Sequence, residues 1–277
     1  MTIEGNTALG SPAVQVEGPA GRIITYPSSG TLPASGAVVF VHPINTSAAI
    51  WDDVRNEIRR PSLAVDLRGH GSSALSGPFT VDDYVADVLA AMDAHDVRSA
   101  HFVGGSLGGT ISASLAAAQP DRVLGVAAFG STLGTGMGGD AIEEMVQELE
   151  AAGSAAYFTK ITPEVLGPAF RNARTIRRAL DSIGIRPVPV VSAILRGAFG
   201  ADVRDRAPHV RCPVLTVAGT FDPTCPVEMS IEFAKATGGV HETIEGVGHL
   251  PMIEAPDQVL RALNAFWKRG MTPREPR

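Results

Sequence analysis

The chain has 277 residues, 44% hydrophobic and 19% charged; that is ample apolar material for one large or two small domains and excludes disorder as a class. Its formal net charge of −6 argues against nucleic acid as a partner. Two cysteines, Cys212 and Cys225, are too few for a disulfide framework and read as reduced thiols, with no metal-ligand spacing around them.

In chain order, residues 1 to about 11 read as a flexible lead, without the basic and apolar regions of a signal peptide. No apolar run is long enough to span a bilayer, so the expectation is a cytoplasmic protein with no membrane partner. Residues 13–17 and 22–26 read as two strands joined by Gly-Pro-Ala-Gly, and the apolar run 37–41 as a strand buried on both faces. A helix is predicted over about 48–59, a buried strand over 63–65, and a turn over Asp66–Gly71. Thr80, with Asp83 three residues on, caps a helix whose apolar positions Val81, Tyr84, Val85, Val88, Leu89 and Met92 recur at helical spacing. Strand 101–103, a helix to Ala118 and strand 123–129 follow. The alternation breaks over 134–201, a helix-like segment, and resumes with strands 214–218 and 240–244 and a helix over about 256–267. Residues 269–277 read as a frayed tail.

Strands alternating with helices imply a mostly parallel sheet covered on both faces. The expected organisation is a discontinuous α/β core, residues 1–133 and 202–277, with 134–201 inserted as a helical cap. Loops at the carboxyl edges of parallel strands build sites, and an insertion leaving that edge can roof one.

The chemistry is expected at Gly104-Gly105-Ser106-Leu107-Gly108. A serine on a strand-to-helix turn, flanked by small residues, is a nucleophile elbow. Side chains at Gly104 or Gly108 would clash with the neighbouring strand or helix. A serine hydroxyl needs a base, and the base an orienting acid. For this elbow the chain order is Ser, then Asp or Glu, then His. Asp222 follows strand 214–218 and His249 follows strand 240–244, both at the carboxyl edge that carries Ser106. Asp222 before Pro223 also suits a plain Asx turn. The oxyanion donors are expected to be the backbone N–H groups of Leu107 and of Ile44, since Pro43 has none; the Asn45 side chain is a weaker candidate. His70, in a turn rich in glycine and arginine, reads as structural.

These stretches resemble the α/β-hydrolase family over roughly residues 20 to 268. The resemblance rests on His42-Pro43 through Trp51, Asp66 through Ser73, the elbow, the Asp222 loop and Gly248-His249. It implies an eight-stranded, mostly parallel sheet with a helical cap and the triad Ser106, Asp222 and His249. The chain departs from the family with His42-Pro43 where His-Gly is usual, and with Leu107 after the serine where many relatives carry Met. It is most similar to small capped esterases and lactonases, including 3-oxoadipate enol-lactonases. The expectation is a serine hydrolase of a small carboxylic ester or lactone, with a small-molecule substrate and no cofactor or metal. Carbon–carbon hydrolases of meta-cleavage pathways and cofactor-free haloperoxidases or perhydrolases share the triad, and a ligand-binding receptor on the same fold is the non-enzyme alternative. In the insertion, Met137, Met145, Tyr157, Phe158, Ile161, Leu166 and Phe170 either roof a pocket or pack the helices together. Arg171, Arg174, Arg177 and Arg178 either form a solvated face or supply a cation to a substrate carboxylate.

Overall fold

The computed structural model of the protein describes residues 2–6, 12–28 and 31–270. Its frame is one nine-stranded sheet. The strands are β1 (Thr2–Asn6), β2 (Pro12–Gly18), β3 (Gly21–Pro27), β4 (Ser35–Val41), β5 (Ser62–Asp66), β6 (Ser99–Gly105), β7 (Val123–Phe129), β8 (Val214–Gly219) and β9 (Val240–Ile244). Their spatial order is β1-β2-β3-β5-β4-β6-β7-β8-β9. The pairs from β5 to β9 are parallel, and the β1-β2-β3 edge is antiparallel. The mostly parallel sheet is thus as expected. The ninth strand is β1, which pairs with β2 where the sequence reads as a flexible lead: a short polar run can complete an edge by backbone bonds alone, a signal that composition does not carry.

Strand periodicity sorts the core. Alternate residues of a strand point to opposite faces. Val39 and Val41 of β4 enter one apolar core, and Val38 and Phe40 enter the other. The first core is closed by α2 (Val81–Ala94) and α3 (Leu107–Ala118), the second by α10 (Pro256–Gly270) through Val259, Leu263 and Phe266. The capping box at Thr80 forms: Thr80 Oγ1 accepts the Asp83 N–H at 3.2 Å, and Asp83 Oδ2 accepts the Thr80 N–H at 3.0 Å. The helix expected over 48–59 is a 3₁₀ turn, Ala48–Trp51, running into a short α1, Asp52–Glu57. The last helix runs on to Gly270, so Arg269 is helical, and the rest of the expected tail, 271–277, lies outside the described residues.

Between β7 and β8 lie four helices: α4 (Gly139–Ala152), α5 (Ser154–Val165), α6 (Ala173–Ile183) and α7 (Val188–Phe199). Val146, Leu149, Tyr157, Phe158, Val191 and Leu195 give them a core of their own. The remaining helices are α8 (Val227–Thr237) and the one-turn α9 (Pro251–Glu254). No single helix among the described residues is long and apolar enough to cross a membrane.

Candidate active site

Three strand ends bring the chemistry-bearing residues to one rim. Ser106 follows β6 in a turn so tight that its backbone sits at φ 48°, ψ −120°, a region that costs a residue with a side chain on the order of 1–3 kcal/mol. The turn closes because its flanks lack side chains. A Cβ on Gly104 would lie 2.4 Å from the Gly108 carbonyl carbon, and one on Gly108 would lie 2.2 Å from the Val41 carbonyl oxygen. The Ser106 N–H donates to the Phe129 carbonyl at 2.8 Å, which fixes the turn against β7.

Asp222 lies just past β8 and His249 just past β9. His249 Nδ1 is 2.9 Å from each Asp222 carboxylate oxygen. Asp222 Oδ1 also accepts the N–H groups of Thr224 at 2.9 Å and Cys225 at 2.8 Å. The Asx turn and the histidine partner are therefore one arrangement, not alternatives. Both side chains are buried. Burial alone would lower the His249 imidazole, but the charge and hydrogen bond of Asp222 outweigh it and raise the ring above its ordinary value of 6.5.

Two contiguous cavities border these residues. A hollow of about 30 Å³ is walled by Ser106, Leu107 and Ile44, among others, room for about one water-sized atom. A cavity of about 520 Å³ is walled by His249, by the strand-end loops and by the four inserted helices. The two share Ile44, Thr135, Phe199 and Thr224. Leu107 is the first residue of α3, where backbone donors have no partner within the helix. No acceptor among the described residues meets the N–H of Leu107 or of Ile44. The inserted segment supplies Met137, just before α4, and Met145, Tyr157, Phe158 and Ile161 from its helices to the larger wall, while Leu166 and Phe170 pack against the core below.

The loop after β4 is held by a pair of histidines. His42 Nε2 accepts the Leu67 N–H and His70 Nε2 accepts the Asn45 N–H, each at 3.0 Å. Their Nδ1 atoms donate to the carbonyls of Pro43 at 2.7 Å and Arg68 at 2.8 Å. The acceptor role of Nε2 requires neutral rings. Burial supplies that, pushing His42 down to about 4 and His70 well below 6.5. The structural reading of His70 holds, and its task is to fix Asn45, whose φ is 61°.

Two further anchors gave no sequence signal, because each ties in a partner far along the chain, 87 residues away for Glu254 and 141 for Arg186. Glu254 accepts three N–H groups: Gly167 and Gly248 at 2.8 Å and Leu250 at 2.9 Å. It thereby ties the His249 loop to the segment after α5, and the His249 N–H itself donates to the Val165 carbonyl at 2.7 Å. Arg186, only 6% exposed, donates from the α6–α7 connection to the Gly69 carbonyl at 2.9 Å and to the carbonyl and Oδ1 of Asn45 at 3.1 Å each. Burial lowers its guanidinium to about 10, so it stays charged at neutral pH. The Asn45 N–H is committed to His70, whereas the neighbouring Ile44 N–H is unengaged. Glu254→Ala strands three buried N–H groups, and a stability loss of about 3 kcal/mol is expected, measured by denaturant unfolding.

A family profile described as the alpha/beta hydrolase family matches residues 38–262. The chain is 26% identical over 239 residues to 3-oxoadipate enol-lactonase 1 of Acinetobacter baylyi, covering 84% of this chain and 88% of that protein. It is 25% identical over 244 residues to a pimeloyl-[acyl-carrier protein] methyl ester esterase of Aliivibrio salmonicida, covering 83% and 91%. In structure it is similar to a thermophilic esterase from Thermogutta terrifontis, with a TM-score of 0.82 over 94% of this chain and 99% of the other at 22% identity, a likeness of fold.

Proposed function

The chain belongs to the alpha/beta hydrolase family, and from that premise we propose that it is a serine hydrolase that cleaves a small carboxylic ester or lactone through an acyl-enzyme. The observation that carries the reading is the 2.9 Å contact of His249 Nδ1 with the Asp222 carboxylate, at the rim where Ser106 borders the adjoining hollow.

Ser106 Oγ attacks the carbonyl carbon, and His249 Nε2 takes the hydroxyl proton as the new carbon–oxygen bond forms. The carbonyl oxygen becomes an oxyanion in the small hollow, where the N–H groups of Leu107 and Ile44 receive it. When the tetrahedral intermediate collapses, the bond to the leaving alkoxide breaks and His249 returns the proton to that oxygen. Water then enters, His249 takes its proton, and the same steps release the acid and restore Ser106. Asp222 keeps the Nδ1–H tautomer in place and stabilises the imidazolium in each half-reaction. The four inserted helices act as the cap over this chemistry. The enol-lactonase and esterase relatives support the ester or lactone class.

A fluorophosphonate probe tests the reading. The wild type should be labelled and Ser106→Ala should not. Absence of labelling and of p-nitrophenyl ester turnover in folded wild-type protein overturns it. The base must be neutral to accept a proton, so kcat/KM should fall as pH drops through the His249 pKa, with a midpoint above 6.5 set by the Asp222 charge. A pH–rate profile checks the direction. Arg186→Met frees the loop that presents Ile44. It should lower kcat by about 10-fold with KM little changed, because an oxyanion contact counts only in the transition state. Steady-state kinetics on one ester reads the split.

A further inference from the structure

The ester chemistry proposed above says nothing about which esters enter, and the electrostatics of the cavity addresses that question while resting on that reading. Among the described residues, the wall of the 520 Å³ cavity contains no Asp, Glu, Lys or Arg. Its polar groups are threonine and tyrosine hydroxyls, the Asn45 amide and the working imidazole. Its apolar part includes Met137, Met145 and Met229, flexible side chains that adapt to differing shapes.

The cations nearby are engaged elsewhere or exposed. Arg186 is spent on Gly69 and Asn45. Arg171 donates to the Leu166 carbonyl at 3.0 Å, Arg178 pairs with Asp53 at 2.7 Å and Arg196 pairs with Glu143 at 2.7 Å. Arg174 and Arg177 are exposed. None of these six lines the cavity. A carboxylate carried into the cavity would give up part of its hydration against a wall that offers no cation in return, and an uncompensated charge is costly to desolvate. At roughly 30 Å³ per water-sized atom, the space takes on the order of 17 non-hydrogen atoms.

We propose that this cavity selects electrically neutral, largely apolar esters or lactones of medium size and rejects substrates that carry a free carboxylate. A lactone derived from a dicarboxylic acid, which keeps one free carboxylate, belongs to the rejected class, as do the dienoates of meta-cleavage chemistry.

The test compares p-nitrophenyl hexanoate with mono-p-nitrophenyl adipate, whose acyl chains are equally long and differ by a terminal carboxylate. The neutral ester should have the higher kcat/KM by about 100-fold, and a ratio below about tenfold overturns the proposal. Met229→Arg places a cation on the wall and should narrow that ratio about tenfold; an unchanged ratio in the folded variant overturns the assignment to this cavity. Calorimetry on Ser106→Ala with ethyl hexanoate and monoethyl adipate separates recognition from chemistry. Tighter binding of the neutral ester supports the selectivity even if no ester is turned over, in which case the hydrolase reading alone fails. Equal or tighter binding of the charged ester, or binding of neither, overturns the selectivity whatever the turnover.

Discussion

Ser106→Ala and His249→Ala should each lower kcat by about 10⁶-fold, and the double variant should lower it no further. In the proposed mechanism the two side chains carry one event, the attack of an oxygen as it gives up its proton. Without the hydroxyl there is no nucleophile for the imidazole to assist, and without the imidazole the hydroxyl is a weak nucleophile in neutral water. The background rate should stay about 10³–10⁴-fold above water, because the Leu107 and Ile44 donors and the cavity remain. Both variants should fold: Ser106→Ala removes one oxygen, and Ala tolerates φ 48° no worse than Ser does. Single-turnover kinetics on all three variants, with circular dichroism as the folding control, checks the result. Independent, multiplying losses would mean that the two residues do not act as a unit.

Gly108→Ala should cost more than about 4 kcal/mol and leave little folded protein. The added Cβ would sit 2.2 Å from the Val41 carbonyl oxygen and 2.9 Å from that of His42. Both are backbone atoms, one in β4 and one in the loop that carries Ile44, so neither can yield by rotating a side chain. Relief requires α3 to move off the sheet, which would open the packing of Ile111 and Leu115 in the first core. Thermal unfolding of Gly108→Ala beside Gly36→Ala measures the effect. Gly36 has nothing within 4 Å of an added Cβ, although its φ of 92° is itself unfavourable for alanine. The comparison therefore isolates the clash from the backbone strain, and similar losses in the two variants would refute the steric account.

Much of this architecture was legible because it is written in local patterns. Buried parallel strands such as 37–41 are short apolar runs, α2 carries both a capping box and a helical stripe, and the elbow demands glycines at fixed offsets. The meeting of Asp222 and His249, on the sheet edge that also carries Ser106, could be anticipated because parallel strands all end at one edge. What escaped was whatever depends on distant partners. Glu254 reads as an ordinary acidic residue near a proline until Gly167 folds over it. Nothing in the sequence around Arg186 singles it out; only the α6–α7 connection carries it onto Asn45. Asp222 looked like a choice between a turn former and a catalytic acid, when its geometrically distinct lone pairs allow both. The edge strand β1 escaped because its pairing is made by backbone atoms.

The Val165 carbonyl, which accepts the His249 N–H, and the Gly167 amide, which donates to Glu254, bear on how freely this scaffold can be re-engineered. A foreign segment spliced in between β7 and β8 would be compatible at its own interior yet would withdraw the anchor of His249 and the Arg186 bracket on the Ile44 turn. Lid exchange in this protein is therefore not modular: a working chimera has to keep residues 165–167 and 186 from the host, or rebuild equivalent hydrogen bonds at both seams.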